Sequence, residues 1–234
     1  MYSWSTVTAP GLVLGRLAVD PSIDEEEVAV EGVAVVRRSS GGGPVLWDRD
    51  LLALDVALPR GHPLAGEDVV DAYRWLGEAI ADALRSLGAR DVAVIGVAEA
   101  RAARAHPGPA AEACFGGLSP YEVLAGGRKV VGLSQARRKP GALLQAGIPL
   151  RLDSDRLARL MGRGAEFAAG LAATATGLDE VAPGVGAAAV VAAVDAAVRA
   201  RTGATLRADE MRDDEIAAVA AVATGSGVRI RAGE

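Results

Sequence analysis

Between residues 67 and 87 apolar side chains return every three or four positions, at Val69, Tyr73, Leu76, Ile80, Ala83 and Leu87. That spacing predicts a helix with one buried face, stopped by Gly88. Elsewhere in the first two thirds the apolar runs are short and punctuated by turn residues, the pattern of strands. They cover residues 12–17, 28–36, 44–47, 51–58, 91–97 and 142–152. The run at 28–36 is broken by Glu31-Gly32 and reads as two short strands or one kinked strand. Residues 121–124 and 129–133 flank Ala125-Gly126-Gly127-Arg128, a β-hairpin signal, and the Ala- and Pro-rich stretch 98–113 reads as an irregular or partly helical loop. From Ser154 onward the pattern turns helical: 154–161 with Ser154 as N-cap, 187–201, and 212–223. Strands followed by helices indicate an α/β protein of the α+β kind, taken as one domain over 1–234 with a helical part from 154.

Composition narrows this picture. The chain has 234 residues, half of them hydrophobic but only 3% aromatic, so its core is built from Ala, Val and Leu. A net charge of −5 argues against general nucleic-acid binding. A single cysteine permits no internal disulfide and no cysteine zinc cluster, and two histidines, His62 and His106, permit no histidine-rich metal site. No basic stretch followed by an apolar run opens the chain, and the apolar run 181–194 contains Pro183 and two glycines, too short to span a bilayer. A soluble cytoplasmic protein with no membrane and no nucleic-acid partner is expected. Of 25 basic residues only Lys129 and Lys139 are lysines.

Four segments could carry chemistry. Arg37-Arg38-Ser39-Ser40-Gly41-Gly42-Gly43 is a sharp turn whose glycines let backbone approach a ligand and whose arginines could bind phosphate or carboxylate; it could equally be a hairpin with solvated arginines. Cys114, followed closely by Gly116-Gly117, is either a small buried hydrophobe or a nucleophile that needs a cation or base nearby. Lys129 opens a strand on which Lys129, Val131 and Leu133 would share one face and Val130, Gly132 and Ser134 the other. Its compact ammonium suits a tight site where arginine does not fit; a surface hairpin lysine is the alternative. Leu144-Gln145-Ala146-Gly147 could wall a pocket for an apolar chain or be an ordinary core strand. Lys139, after Arg137-Arg138, is a solvated basic loop or meets an acidic partner.

In this order the segments resemble one family. Arg37-Arg38-Ser-Ser40-Gly41-Gly42-Gly43 resembles the Arg-Arg-x-Ser/Thr-Gly-Gly motif of lipoate–protein ligases and related octanoyltransferases. Gly127-Arg-Lys129-Val-Val-Gly132-Leu-Ser-Gln135 and Leu144-Gln145-Ala-Gly147 resemble two later motifs of the same family. Cys114-Phe115 ahead of Tyr121-Glu122 is similar to the cysteine-dependent octanoyltransferases. Leu133-Ser134, Ala146 and Trp47 depart from the family's usual Ser-Ala, His and His. The resemblance implies the cofactor-transferase fold shared with biotin ligases, a mixed sheet flanked by helices. It implies an octanoyl or lipoyl group moved from an acyl-carrier protein to a lysine of a lipoyl-domain protein. Cys114 and Lys129 would be catalytic, and Arg37, Arg38, Ser40, Gly41, Gly42, Gly43, Gly132, Gln135, Gln145 and Gly147 would bind substrate, with no cofactor or metal. A ligase using ATP and Mg through an acyl-adenylate, and a non-catalytic acyl- or carrier-binding homologue, are the alternatives.

Overall fold

The computed structural model describes residues 1–16 and 22–206. Its frame is a six-stranded antiparallel sheet in the order β1-β5-β9-β8-β7-β6: β1 (Tyr2–Thr6), β5 (Leu51–Pro59), β9 (Gly141–Pro149), β8 (Arg128–Arg138), β7 (Val123–Ala125) and β6 (Val92–Val94). A three-stranded sheet lies beside it, β2 (Gly11–Leu14) between β3 (Ala34–Arg37), parallel to it, and β4 (Val45–Trp47), antiparallel. The helices among the described residues are α1 (Glu25–Val30), α2 (Arg74–Ser86), α3 (Val97–Ala105), α4 (Ser154–Leu160), α5 (Ala165–Thr174), α6 (Leu178–Val181) and α7 (Ala187–Thr202). The architecture is the mixed α/β one that the pattern predicted, and the larger sheet is antiparallel throughout.

Alternation along β5 and β9 sorts residues between two cores. Leu52, Leu54, Val56 and Leu58, with Leu144 and Ile148, pack against α2 and α7. Leu51 faces the other way and joins Leu12, Val45, Phe115, Leu157 and Phe167 between the small sheet, α4 and α5. The candidate active site lies on this second face. Strand β1, not anticipated from the sequence, is tied to α7: Tyr2 Oη and Trp4 Nε1 both donate to Asp195 Oδ1, at 2.8 and 2.9 Å. Arg201 ties α7 to α2 through Glu78 at 2.8 Å and through Asp82.

Several elements differ from the expectation for local reasons. The helix predicted from residue 67 starts at Arg74, after a 3₁₀ turn at Asp71–Tyr73. Asp68 Oδ1 accepts from Val70 N and Asp71 N at 2.6 and 3.0 Å, an alternative to the helical ladder, and Val69 is exposed. Residues 25–30 are helical, not extended: Asp24 caps them by accepting from Glu27 N at 2.9 Å, and Glu25, Glu26 and Glu27 suit the positive end of the helix dipole. Helix α4 is capped by Asp153, one residue before Ser154. Helices α5 and α6 fall in Ala- and Gly-rich sequence without a marked apolar stripe, and α3 takes up the first part of the expected loop 98–113. The expected helix 212–223, and the end of the strand at 12–17, lie outside the described residues.

Candidate active site

On the open face of the large sheet, Ala53, Gly147 and Gly132 form one cross-strand row and Asp55, Gln145 and Ser134 the next. The two glycines leave room for the Phe115 ring. A Cβ on Gly132 would stand 3.4 Å from Phe115 Cζ, and one on Gly147 would stand 3.9 Å from it. Above these rows is a narrow cleft of ≈ 430 Å³, counted out to its open mouth. Val45, Trp47, Leu51 and Phe115 give it an apolar wall; Arg38, Asp55, Ser134 and Gln145 give it a polar one. Cys114 lines it.

The turn after β3 is folded against the cysteine. Gly42 takes φ +104°, and a Cβ there would stand 2.4 Å from Arg38 Nη2. At Gly43 a Cβ would collide with Glu112 O at 1.9 Å, so the absence of a side chain lets the turn touch the 112–114 backbone. Cys114 N donates to Pro44 O at 2.8 Å. Arg38 Nη2 donates to Gly41 O at 2.8 Å and lies 3.6 Å from Cys114 Sγ. Arg38 Nε is buried and has no hydrogen-bond partner among the described residues. Arg37 Nη1 donates to Gly15 O at 2.8 Å, holding the turn from behind. Gly41 is exposed.

A hydrogen-bonded relay crosses the polar wall. Ser134 Oγ donates to Ser40 Oγ at 3.3 Å, Ser40 Oγ donates to Gln145 Oε1 at 2.8 Å, and Gln145 Nε2 donates to Asp55 Oδ1 at 2.7 Å. Ser40 is buried, so the relay fixes the turn to β8, β9 and β5. Gln135 is directed elsewhere: its Nε2 donates to Val69 O and its Oε1 accepts from Arg137 Nε at 3.2 Å.

Lys129 is buried, at 1% exposure, on the backbone side of the cysteine. Its Nζ donates to Cys114 O at 2.7 Å and Gly117 O at 3.0 Å, and pairs with Glu122 Oε1 at 2.7 Å. It also sits 5.2 Å from the Phe115 ring centroid, a cation–π contact. Glu122 is 2% exposed and accepts from Ser119 N at 2.8 Å and Leu133 N at 3.1 Å. Burial pushes the Glu122 carboxyl above its ordinary range against the opposing pull of Lys129. The simple alternation expected for β8 fails at a bulge: Val123 pairs with Val131 while Leu124 pairs with Lys129. The shift brings Lys129 Cε within 3.5 Å of where a Gly132 Cβ would stand, on the side of the glycine and not opposite it. Glu122 and Asp55 were given no role from sequence. Asp55 had a signal, a lone carboxylate in the apolar run of β5; Glu122 had one in the Tyr121-Glu122 pair of the resemblance, though its pairing with Lys129 needed the fold.

The comparisons with known proteins follow this geometry. Residues 2–199 match the model of the lipoyl protein ligase A/B catalytic domain. The chain belongs to that family. Among the curated relatives of this lipoyl ligase-family protein is octanoyltransferase LipM of Anoxybacillus flavithermus, 36% identical over 158 residues, which are 67% of this chain and 55% of that protein. LipM of Staphylococcus aureus is 34% identical over 158 residues, with the same two shares. The chain therefore spans about half the length of the curated relatives it matches. Among solved structures, lipoate-protein ligase A bound with ATP superposes with a TM-score of 0.71 at 19% identity, covering 93% of this chain and 78% of that one. A bipartite lipoate protein ligase from Thermoplasma acidophilum, studied with its E2 lipoyl domain, superposes with a TM-score of 0.71 at 17% identity, covering 96% and 79%. The family's fold is thus the fold described above.

Proposed function

We propose that this protein is an octanoyltransferase of protein lipoylation, moving an octanoyl or lipoyl group from an acyl-carrier thioester to a lysine of a lipoyl-domain protein through an acyl-enzyme on Cys114. The observation that carries the reading is the placement of Cys114 Sγ on the cleft, 3.6 Å from the Arg38 guanidinium. The thiolate is the nucleophilic form of cysteine. The thiolate attacks the acyl carbonyl carbon; the carrier's thiolate leaves and takes up a proton. The acceptor lysine's neutral amine then attacks the new thioester, the Cys114 thiolate leaves, and the amine's surplus proton passes to solvent or a base. The product is a stable amide, and one difficult transfer is divided into two easier ones.

Each surrounding group has a part in this reading. Arg38, with Nη2 at the sulfur and its side chain lining the cleft, offers hydrogen bonds to charge developing on the acyl oxygen. Lys129 acts on the same cysteine from the backbone side by holding the Cys114 and Gly117 carbonyls. Gly132 and Gly147 keep the floor open for the acyl chain, and Ser40 and Gln145 set the polar wall. The acyl group arrives already activated as a thioester, so the reaction consumes no ATP and no Mg.

The test is transfer of octanoate from octanoyl-carrier protein to a lipoyl-domain protein, without ATP and Mg, by wild type and by Cys114→Ala. Wild type transfers and the variant does not. Transfer from free octanoate that needs ATP and survives Cys114→Ala would replace this reading with an adenylate-forming ligase; acyl binding with no turnover would replace it with a binding module.

A further inference from the structure

The open face of the large sheet continues beyond the cleft. After the row of Asp55, Gln145 and Ser134 come Ala57, Leu143 and Ala136, then Pro59, Gly141 and Arg138, each paired across β5, β9 and β8. Rows two residues apart stand about 7 Å apart, so the last lies about 20 Å from the Gly132–Gly147 row. The Ala57–Leu143–Ala136 row lines a trough of ≈ 670 Å³, counted to its open mouth, together with Ser39 and Pro140. Ser39 directly follows Arg38, so the trough takes over where the cleft stops. At its far end the trough shares Pro59, Arg138, Gly141 and Ala142 with a hollow of ≈ 920 Å³ that turns round the end of the sheet toward the face of Ala65, Arg137 and Ala142. Arg60, Arg137, Arg138 and Lys139 rim that hollow, along with His62 and a single carboxylate, Glu67.

Arg137 is committed to the fold: its Nη2 and Nη1 donate to Ala65 O at 2.5 Å and Gly66 O at 3.1 Å. Arg60, Arg138 and Lys139 are exposed, and the ion pairs among the described residues leave all three unpaired. A chain of net charge −5 thus places three exposed cations without ion pairs together at one end of a trough that begins beside Arg38.

We infer that this basic hollow docks an acidic acyl-carrier protein, and that the carrier's long prosthetic arm lies in the trough with its thioester at Cys114. The inference rests on the transferase reading and adds where the donor binds. Three observations select the donor over the acceptor. The rim is cationic, complementary to an acidic surface. The trough is lined largely by small apolar residues, suited to a thin flexible arm and not to a folded segment. The distance of about 20 Å is beyond the four-carbon stem of an acceptor lysine.

The experiment compares wild type with Arg60→Glu/Arg138→Glu/Lys139→Glu, with folding checked by thermal unfolding. Binding of a fluorescently labelled acidic acyl-carrier protein is titrated at two salt concentrations. Acylation of Cys114 is followed separately, from octanoyl-carrier protein and from octanoyl-N-acetylcysteamine, a small thioester without a carrier. Carrier binding that weakens with salt in wild type and falls at least tenfold in the folded variant, with acylation from the small thioester unchanged, is the expected result. Equal carrier binding by wild type and variant, or no binding by wild type, overturns the docking surface. Charge-dependent carrier binding with no acylation of wild type from either donor upholds the surface and overturns the transferase reading instead.

Discussion

Lys129 and Arg38 both reach Cys114, and they are held in opposite ways. Lys129 is buried and its charge is answered by Glu122 at 2.7 Å, so its ammonium has carbonyls and a carboxylate for company and touches the cysteine through the backbone. Arg38 approaches the thiol itself, is only partly buried, makes no ion pair among the described residues, and keeps a buried Nε without a partner. A cation answered by a carboxylate fixes a loop; one on the wall of a cleft with no carboxylate partner among the described residues keeps its charge for a ligand. The same cysteine thus meets one cation through its backbone carbonyl and another at its sulfur.

The sharpest way to break this comparison is to remove each cation in turn. Lys129→Met leaves Glu122 buried without its partner, and loss of one member of a buried pair costs about 3–5 kcal/mol; urea unfolding measures it. The deficit depends on pH. With Lys129 gone, burial acts on Glu122 against only the hydrogen bonds from Ser119 N and Leu133 N, and raises its carboxyl further. The unfolded chain gives up that proton near the ordinary carboxylate value of about 4.3, while the folded variant holds it to higher pH. Stability of the variant therefore falls as pH rises between those two values, and the deficit against wild type is smaller at pH 5 than at pH 8. A deficit that does not change with pH would remove Glu122 from the explanation.

Arg38→Met should do the reverse. The initial acylation of Cys114 slows by about 10²-fold, the scale of losing one donor to a developing oxyanion, and alkylation of the thiol by iodoacetamide at neutral pH slows as well. Stability falls by only about 1–2 kcal/mol, for the hydrogen bonds to the Gly41 and Gly43 carbonyls. Unchanged acylation and alkylation would return the thiol to Lys129 alone. Gly43→Ala is a milder probe of the same side. Its Cβ would meet Glu112 O at 1.9 Å, so the turn and the Cys114 backbone must part; about 1–3 kcal/mol of stability is lost, and acylation falls by less than in Arg38→Met. Ser40→Ala has the smallest effect. It cuts the relay to Gln145 and costs about 1 kcal/mol, with a change in acylation of only a few-fold, measured by the same initial rates.

The sequence announced the two halves of the site unequally. The glycine turn was legible because only glycines permit φ +104° at Gly42 and backbone contact at Gly43. The rare lysine could be read as a tight-site residue or as a surface hairpin residue, and its burial at 1% excludes the surface one. What it touches was not: a bulge in β8 turned its side chain to the Gly132 side, and a bulge leaves no mark in an apolar alternation. Glu122 as its partner follows from Tyr121 and Glu122 folding back beside β8, a long-range fact. The central strands β5 and β9 were readable from their apolar runs, but β8 only over 129–133, because its continuation to Arg138 is polar and basic; α1 went the other way because capping and the acidic first turn outweighed Val28 and Val30. The row-by-row continuation from cleft to basic hollow needed the register of three strands, which no single segment states.

The central claim is that Cys114 carries the acyl group, and intact mass spectrometry tests it most directly. Wild type and Cys114→Ala are incubated with octanoyl-carrier protein without ATP. The account predicts one octanoyl adduct on wild type, mapped to Cys114, released by neutral hydroxylamine, and absent from the variant. A folded wild-type protein that transfers octanoate yet never carries the adduct, or a Cys114→Ala variant that transfers at the wild-type rate, would contradict it.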